Sequence, residues 1–444
     1  MKSKLLFFIG SLIFNIVLAQ DEVLNFSLLR QNDKIIYSEN LPNQFYYKLK
    51  QINLNNSTTV SLGGSWRFQA ESFINEQFQN TAQQDNLWFL NRLMLHAHLK
   101  IDQKFEAFAE LNSSLPANKD ALIPVDKDAL SLNQFFLRYH FNSNWNILIG
   151  RQNMRLGSGR LVDIREGPNV RLSFDMAQLQ YQDHNTNLLG FYAIPVQQQE
   201  GVFDNDYLKN NESLSALYWT QQWTKNTNTD LYVLYKTEKN KTWNSGTAND
   251  NRASIGLRHF GNWNSFKYNN EFVYQFGNFG NQNINAWTMS YNVEKDFSIG
   301  TFGLKTEAIS GNDEGSSSLN TFDGLYPRGA YFGRVARIGP SNLIDIHPYY
   351  NKKIGNFNLE LDYVAFWRFS TTDGVYGAPL ILDYPSVNTE RFIGNQIGSI
   401  LTYELNNNIS LELESNIIFP GAFLRKSHLN NTLYHFVFTT EIKF

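Results

Sequence analysis

The sequence predicts an all-β fold: a single-chain, antiparallel, up-and-down transmembrane β-barrel of about 18 strands. Three observations predict it. Segments of about ten residues alternate apolar and polar side chains from residue 58 onward. Long and short connections between them alternate in turn. The chain is also polar on average, with a mean hydropathy of -0.38, although it carries 35 Phe, 22 Tyr and 9 Trp and only 18% charged residues. A wall that faces lipid on one side and water on the other needs this mixture, and it needs no long apolar run.

Taken in order, the chain begins with Lys2 and Lys4, an apolar run from Leu5 to Leu18, and small residues at Val17 and Ala19. That order predicts a secretory signal over 1–19, cut before Gln20. Residues 20–57 lack clear alternation and are expected to be an N-terminal lead segment, with the barrel occupying 58–444. Strands are expected to begin near 58, 87, 103, 131, 144, 176, 186, 212, 228, 252, 264, 285, 299, 341, 356, 393, 408 and 431. In one of them Leu93, Leu95, Ala97 and Leu99 share a face opposite Arg92, His96, His98 and Lys100. In another, Leu361, Tyr363, Ala365 and Trp367 oppose Glu360, Asp362 and Arg368.

Short turns are expected at Asp102, Asn142-Ser143-Asn144, Asp183-His184-Asn185, Gly261-Asn262, Lys353-Ile354-Gly355 and Asn406-Asn407. Long loops are expected at 72–86, 113–130, 150–175, 196–211, 238–251, 310–340, 370–392 and 419–430. The rhythm places long loops outside the cell and short turns in the periplasm. The last strand puts Tyr434, Phe436, Phe438, Ile442 and Phe444 on one face, a pattern expected to be read by the barrel assembly machinery.

Several function classes are excluded. The chain has no cysteine, so disulfides, thiolate catalysis, thiolate metal sites and a lipid-modified cysteine are all absent. A formal net charge of -3 gives no case for nucleic acid. His96 and His98 are two positions apart, and two ligands do not make a metal site. No G-x-S-x-G elbow is present. Neither an enzyme nor a cofactor is expected.

What remains is the lumen. Arg67, Arg92, Arg138 and Arg368 sit on polar phases of strands, where a lipid-facing position would cost about 2–4 kcal/mol. Glu110, Glu360, Asp362, Glu412 and Glu414 share those phases, so the lumen is mixed. The stretch from Gly150 to Arg171 is richer still, with Arg151, Arg155, Arg160, Arg165 and Arg171 punctuated by glycine and by Asp163 and Glu166. Folded inward, it would line a constriction with guanidinium groups, whose planar fork binds carboxylate and phosphate. The bland alternative is that these arginines pair with neighbouring acids. A second stretch runs from Asn312-Asp313-Glu314-Gly315 to Phe322-Asp323-Gly324-Leu325-Tyr326-Pro327-Arg328-Gly329 and Arg334, without EF-hand spacing.

The blocks Gly150-Arg151-Gln152 to Arg160-Leu161-Val162, Arg165-Glu166-Gly167-Pro168-Asn169-Val170-Arg171 and Phe322 to Gly329 resemble the alginate export family of outer-membrane barrels. The likeness spans about 45–444. It implies an eighteen-stranded monomeric barrel that passes an anionic polysaccharide through an arginine-lined constriction. Carried over residue by residue, it implies Arg67, Arg92, Arg138, Arg151, Arg155, Arg165 and Arg368 as lumen cations. With Arg160, Arg171 and Arg334 these complete the expected pore lining. The expectation is therefore an outer-membrane channel for anionic solutes, set among outer-membrane lipid and lipopolysaccharide. A general nutrient porin, or an outer-membrane enzyme or adhesin on a barrel scaffold, are the rivals.

Overall fold

The computed structural model describes residues 24–35, 45–79, 81, 85–206, 208 and 211–444. The signal expected over 1–19 lies outside the described residues. No helix among them is long and apolar enough to cross a membrane.

The strands form one closed antiparallel barrel of 18 long strands. In chain order they are β1 (Thr58–Ile74), β2 (Asn86–Ile101), β3 (Phe105–Ala117), β4 (Asp128–His140), β5 (Trp145–Gln152) and β6 (Phe174–Gln182). Then come β7 (Thr186–Pro195), β8 (Glu212–Thr224), β9 (Thr227–Trp243), β10 (Gly246–Trp263), β11 (Phe266–Phe279) and β12 (Gln282–Phe297). The last six are β13 (Gly300–Ile309), β14 (Leu343–Ile354), β15 (Phe357–Arg368), β16 (Phe392–Glu404), β17 (Ile409–Pro420) and β18 (Leu433–Lys443). Each pairs with its sequence neighbour, and β18 returns to β1 from Tyr434↔Ile74 to Lys443↔Ser65. Closure gives every strand two partners, so no backbone edge faces lipid, where an unpaired N–H or C=O would be costly.

The period-two pattern sets the two faces. On β10 Ile255 and Leu257 point out and stay exposed, while Arg252, Ser254 and Arg258 point in. On β11 the outward side chains are Phe272, Tyr274 and Phe276, against inward Glu271 and Gln275. A continuous exposed belt of this kind is a lipid-facing surface. Leu257→Arg, at an outward position 49% exposed in this protein alone, is expected to cost about 2–4 kcal/mol. A lowered guanidinium midpoint for unfolding from liposomes checks it, and an unchanged midpoint counts against β10 facing lipid.

The expected loop at 238–251 is not there. β9 and β10 instead continue to a tight hairpin, with Trp243 paired to Gly246. Trp243 holds it: the ring is buried, packs 5.4 Å from Tyr376 and donates from Nε1 to Asp250 Oδ2 at 3.0 Å. β11 and β12 also meet in a tight turn, with Gly280 at φ 55. The remaining long connections fall where the sequence places them, all at one end.

At the opposite end the lead segment docks. Its 3-10 turn Arg30–Asn32 is followed, after residues 36–44, by helix α1 (Phe45–Lys50) and a short strand Ile52–Asn55 that pairs with the start of β1. Arg30 ties the segment to the wall. Its guanidinium donates to Gly64 O at 2.6 Å, to Phe444 O at 3.2 Å and to Asp33 Oδ2 at 2.9 Å. Tyr46 and Tyr47 of α1 pack with Ile409 and Ile442 at the same rim.

Candidate functional site

Three of the long loops do not stand away from the barrel. Residues 153–173, 310–342 and 369–391 fold into its mouth and build a packed core there with inward strand residues. Val162, Ile164, Phe322, Asp323, Asn342 and Tyr376 are fully buried. A loop buried this deeply must satisfy its backbone. It does so partly loop to loop, with Tyr326 N donating to Leu161 O at 2.8 Å and Asp163 N to Tyr326 O at 3.0 Å. The rest comes from wall side chains: Gln275 on β11 donates to Asp323 O at 2.7 Å, Arg252 on β10 to Thr321 O at 3.0 Å, and Gln396 on β16 to Phe332 O at 2.6 Å.

Charge pairs finish the attachment. Arg67 on β1 and Arg92 on β2 lie directly opposite each other, an arrangement that repels unless an anion intervenes. Glu166 is that anion. Its carboxylate accepts from Arg92 Nη2 and Arg171 Nε, and Arg67 lies 3.5 Å away while donating to Glu166 O at 2.6 Å and Pro168 O at 2.8 Å. Arg160 reaches Glu271 at 3.2 Å and also Glu307, while Tyr331 OH receives its Nη1 at 2.6 Å. Lys236 on β9 holds Asp323 at 3.2 Å between Glu212 and Glu238. Arg334 pairs with Glu412 at 2.6 Å and Glu414 at 3.3 Å on β17.

The ten arginines expected as pore lining therefore separate by environment. Arg67, Arg92, Arg151, Arg171 and Arg368 are all at most 3% exposed. Arg151 is held bidentately by Asp175, its partner on β6, at 2.7 and 2.9 Å. Arg368 makes no ion pair within 4.0 Å among the described residues. It organises residues 369–391 by donating to the carbonyls of Thr371, Asp373, Asn388 and Glu390. Arg138 stands apart near the turn end of β4, paired with Glu106 at 3.2 Å. Arg160 and Arg334 are half-buried in the pairs just described.

Arg155 and Arg165 differ. Arg155 is exposed; its guanidinium donates to Ser158 O at 3.3 Å and lies 3.3 Å from Asp163. Gly159, at φ 75, permits this contact, because a Cβ there would lie 2.3 Å from Asp163 Oδ2 and 2.9 Å from Arg155 Nε. Arg165 is half-buried, and its guanidinium makes no ion pair within 4.0 Å among the described residues. Arg328, which the phase argument does not select because it sits on a loop, is exposed beside them and interacts with Arg155, Arg160 and Asp163. Its neighbour Gly329 would place a Cβ 3.7 Å from that of Arg165. Arg155 and Arg328 thus gather around Asp163, while Arg165 feels Glu212 first and then Asp163 and Asp323, pairing with none of them within 4.0 Å among the described residues. Below them lies a chamber of about 490 Å³ lined by Gln152, Arg155, Gln178, Tyr218 and Arg258, with Gln31 of the lead segment at its floor.

Comparison with known proteins agrees with this architecture. The barrel is similar to Pseudomonas aeruginosa OpdQ, with TM-score 0.60, 10% identity, and coverage of 87% of this chain and 97% of that one. It is similar to P. aeruginosa OpdO (TM-score 0.59, 12% identity, 86% and 97% covered) and to a BenF-like porin from Pseudomonas fluorescens Pf-5 (0.58, 10%, 87% and 98%). At these identities the likeness establishes the fold. No curated protein matches the sequence. The alginate export family model matches residues 58–438, nearly the whole barrel. The chain belongs to the alginate export family and is an outer-membrane β-barrel of a Gram-negative cell.

Proposed function

We propose that this barrel is a channel for anionic solutes, and that Arg155, Arg165 and Arg328 form its selective constriction. One observation carries the reading. Nearly every other arginine of the lumen is held by a carboxylate or by several backbone carbonyls, whereas Arg155 and Arg328 are exposed beside the single acid Asp163, and Arg165, half-buried, makes no ion pair within 4.0 Å among the described residues. A cationic ring in a narrow aqueous passage lowers the barrier for anions and raises it for cations. The guanidinium fork suits a carboxylate, so sugar acids are the solute class, with an alginate-like polyuronate as the polymeric case. The description of the Pseudomonas fluorescens neighbour as a BenF-like porin and the family's name for alginate export support transport rather than catalysis.

The signal over 1–19 would export the chain, and the lead segment 20–57 would precede a monomeric barrel over 58–444. The alternating aromatic face of β18 is the feature that the assembly machinery would read.

The test is the reversal potential of the refolded protein in planar bilayers under a potassium chloride gradient. Anion selectivity is expected. Changing Arg155, Arg165 and Arg328 together to Gln should reduce the anion-to-cation permeability ratio by about tenfold, since one charge a few ångströms from the path is worth about 1 kcal/mol even at the dielectric of water. Cation selectivity in the unmodified protein overturns the proposal. A channel with no selectivity supports the general porin instead, which the extensive charge pairing of the lumen would favour.

A further inference from the structure

Lys50 has no role in the constriction, and its setting is unusual. It closes α1 at the base of the barrel and is only 5% exposed. Its ammonium donates to Leu62 O at 2.9 Å and has no carboxylate within 4.0 Å among the described residues. A buried charge without a counter-charge is costly, and this one still has two N–H donors to place. The other face of the same space is no less cationic. A cavity of about 290 Å³ separates the lead segment from β2, and Arg30, Lys34, Lys50, His96, His98 and Lys100 line it. Among these, Arg30 is answered by Asp33, and His98 lies 3.5 Å from Glu106. Lys34 makes no ion pair within 4.0 Å among the described residues, and Lys100 stands opposite Glu106 of β3 without closing to that distance.

The donors converge on one point. A Cβ built on Gly63 would lie 2.7 Å from His96 Nε2 and 2.8 Å from Lys50 Nζ. Gly63 therefore keeps open the space both nitrogens face. His96 Nδ1 is also buried and makes no hydrogen bond.

We propose that this cavity is a binding site for one small oxyanion, a carboxylate or a phosphate, held chiefly by Lys50 and His96 and drawn in by Lys34 and Lys100. Its volume is at the low end for small-molecule sites, so it accepts a single sugar acid or a free phosphate, not a threaded polymer. For a sugar acid the inference rests on the anion-channel reading, and the site would be the solute's last station before the periplasm. For phosphate it stands alone.

The site should weaken with rising pH. Burial, and next the positive charge of Arg30, push Lys50 down to about 7, against the pull of Asp33. Facing Lys50 are Arg30 and Asp33 from the lead segment, Tyr46 from its own helix, and His96, His98 and Lys100 from β2, with Glu110 of β3 behind His96 at 4.0 Å. Above neutrality Lys50 gives up its proton, and the strongest donor loses its charge.

Calorimetric titration of the full chain in detergent micelles tests this, with glucuronate in one arm and inorganic phosphate in the other, at pH 6 and pH 8.5. Saturable binding is expected at pH 6 in at least one arm, weaker at pH 8.5. Lys50→Met should lower affinity by at least about tenfold. Gly63→Ala, which fills the meeting point without removing a charge, should lower it as well and guards against misfolding of the first variant. Glucuronate binding much tighter than phosphate identifies a solute station, and equal binding identifies a general oxyanion site. The Arg155/Arg165/Arg328 triple change should leave affinity intact, which separates this site from the constriction: selectivity can fail while binding persists, and the converse. Absence of binding in both arms at millimolar concentration, or full affinity in both Lys50→Met and Gly63→Ala, overturns the proposal.

Discussion

Glu166→Ala is expected to lower barrel stability by about 3 kcal/mol and to release residues 153–173 from the wall. The change removes one carboxylate and strands three guanidinium groups. Arg67, Arg92 and Arg171 lie together at 3% exposure or less, and two of them face each other across neighbouring strands. Removing one member of such a cluster typically costs about 3–5 kcal/mol, because the remaining charge stays buried and unanswered. The lower figure applies here because Glu166 itself keeps 30% of its side-chain surface. Burial alone would raise its carboxyl, but Arg171, Arg92 and Arg67 outweigh burial and hold it well below the ordinary carboxylate range. The sign follows. A carboxyl whose folded value is depressed contributes its full stabilisation above the unfolded value, near 4.3, and loses it only as pH falls further. The latch should therefore stay closed throughout the neutral range. Denaturant midpoints at pH 7 and limited proteolysis of the loop measure both consequences. A variant with the wild-type midpoint and an uncut loop would show that the three arginines find other partners.

Asp373→Ala should loosen the other two inward loops. Asp373 is fully buried and accepts from Thr321 Oγ1 at 2.6 Å, Tyr376 OH at 2.7 Å, Asn312 N at 2.8 Å and Gly374 N at 2.8 Å. Two of these donors belong to residues 310–342 and two to residues 369–391, so a single side chain staples one loop to the other. Each donor left without an acceptor costs about 1–3 kcal/mol when it stays buried. The loops will partly relax toward water, and a net loss of about 3 kcal/mol is expected. Tyr376 also supports Trp243, and its hydroxyl receives Asn244 N at 3.0 Å, so the β9–β10 hairpin should loosen with it. Larger and noisier single-channel conductance, with a lowered denaturant midpoint, is the expected record. Wild-type conductance with a wild-type midpoint refutes the staple.

The strand pattern was legible because lipid imposes it: wherever a strand crosses hydrocarbon, every second side chain must be apolar. Starts expected at 58, 186 and 212 coincide with β1, β7 and β8. The failure at 238–251 has the same cause. Past a bulge at Lys239 and Asn240, Lys241, Thr242 and Trp243 on β9 pair with Ala248, Thr247 and Gly246 on β10 and keep the backbone ladder without an apolar outer face. Strands in water need no lipid face, so alternation vanishes while hydrogen bonding continues. The arginines were legible as residues turned inward but not as pairs. Arg92 finds Glu166 across 74 positions and Arg160 finds Glu307 across 147, and only the curvature of the closed sheet brings such groups together. Arg328 escaped because its loop has no strand phase to read and lacks the density of arginine that singled out 150–171.

The clamp made by Arg30 bears on the order of assembly. Its two carbonyl acceptors, Gly64 O on β1 and Phe444 O just past β18, are far apart in the chain. They become neighbours only when the ring shuts, and contacts of such long sequence separation form late because of the chain entropy they consume. Before closure the lead segment can hold only to β1, through the pairing of Ile52–Asn55 and the Gly64 carbonyl. Its full docking is a timestamp: a chain cut short before β18, or stalled with the ring agape, would leave Arg30 without the Phe444 carbonyl and its 3-10 turn only half held.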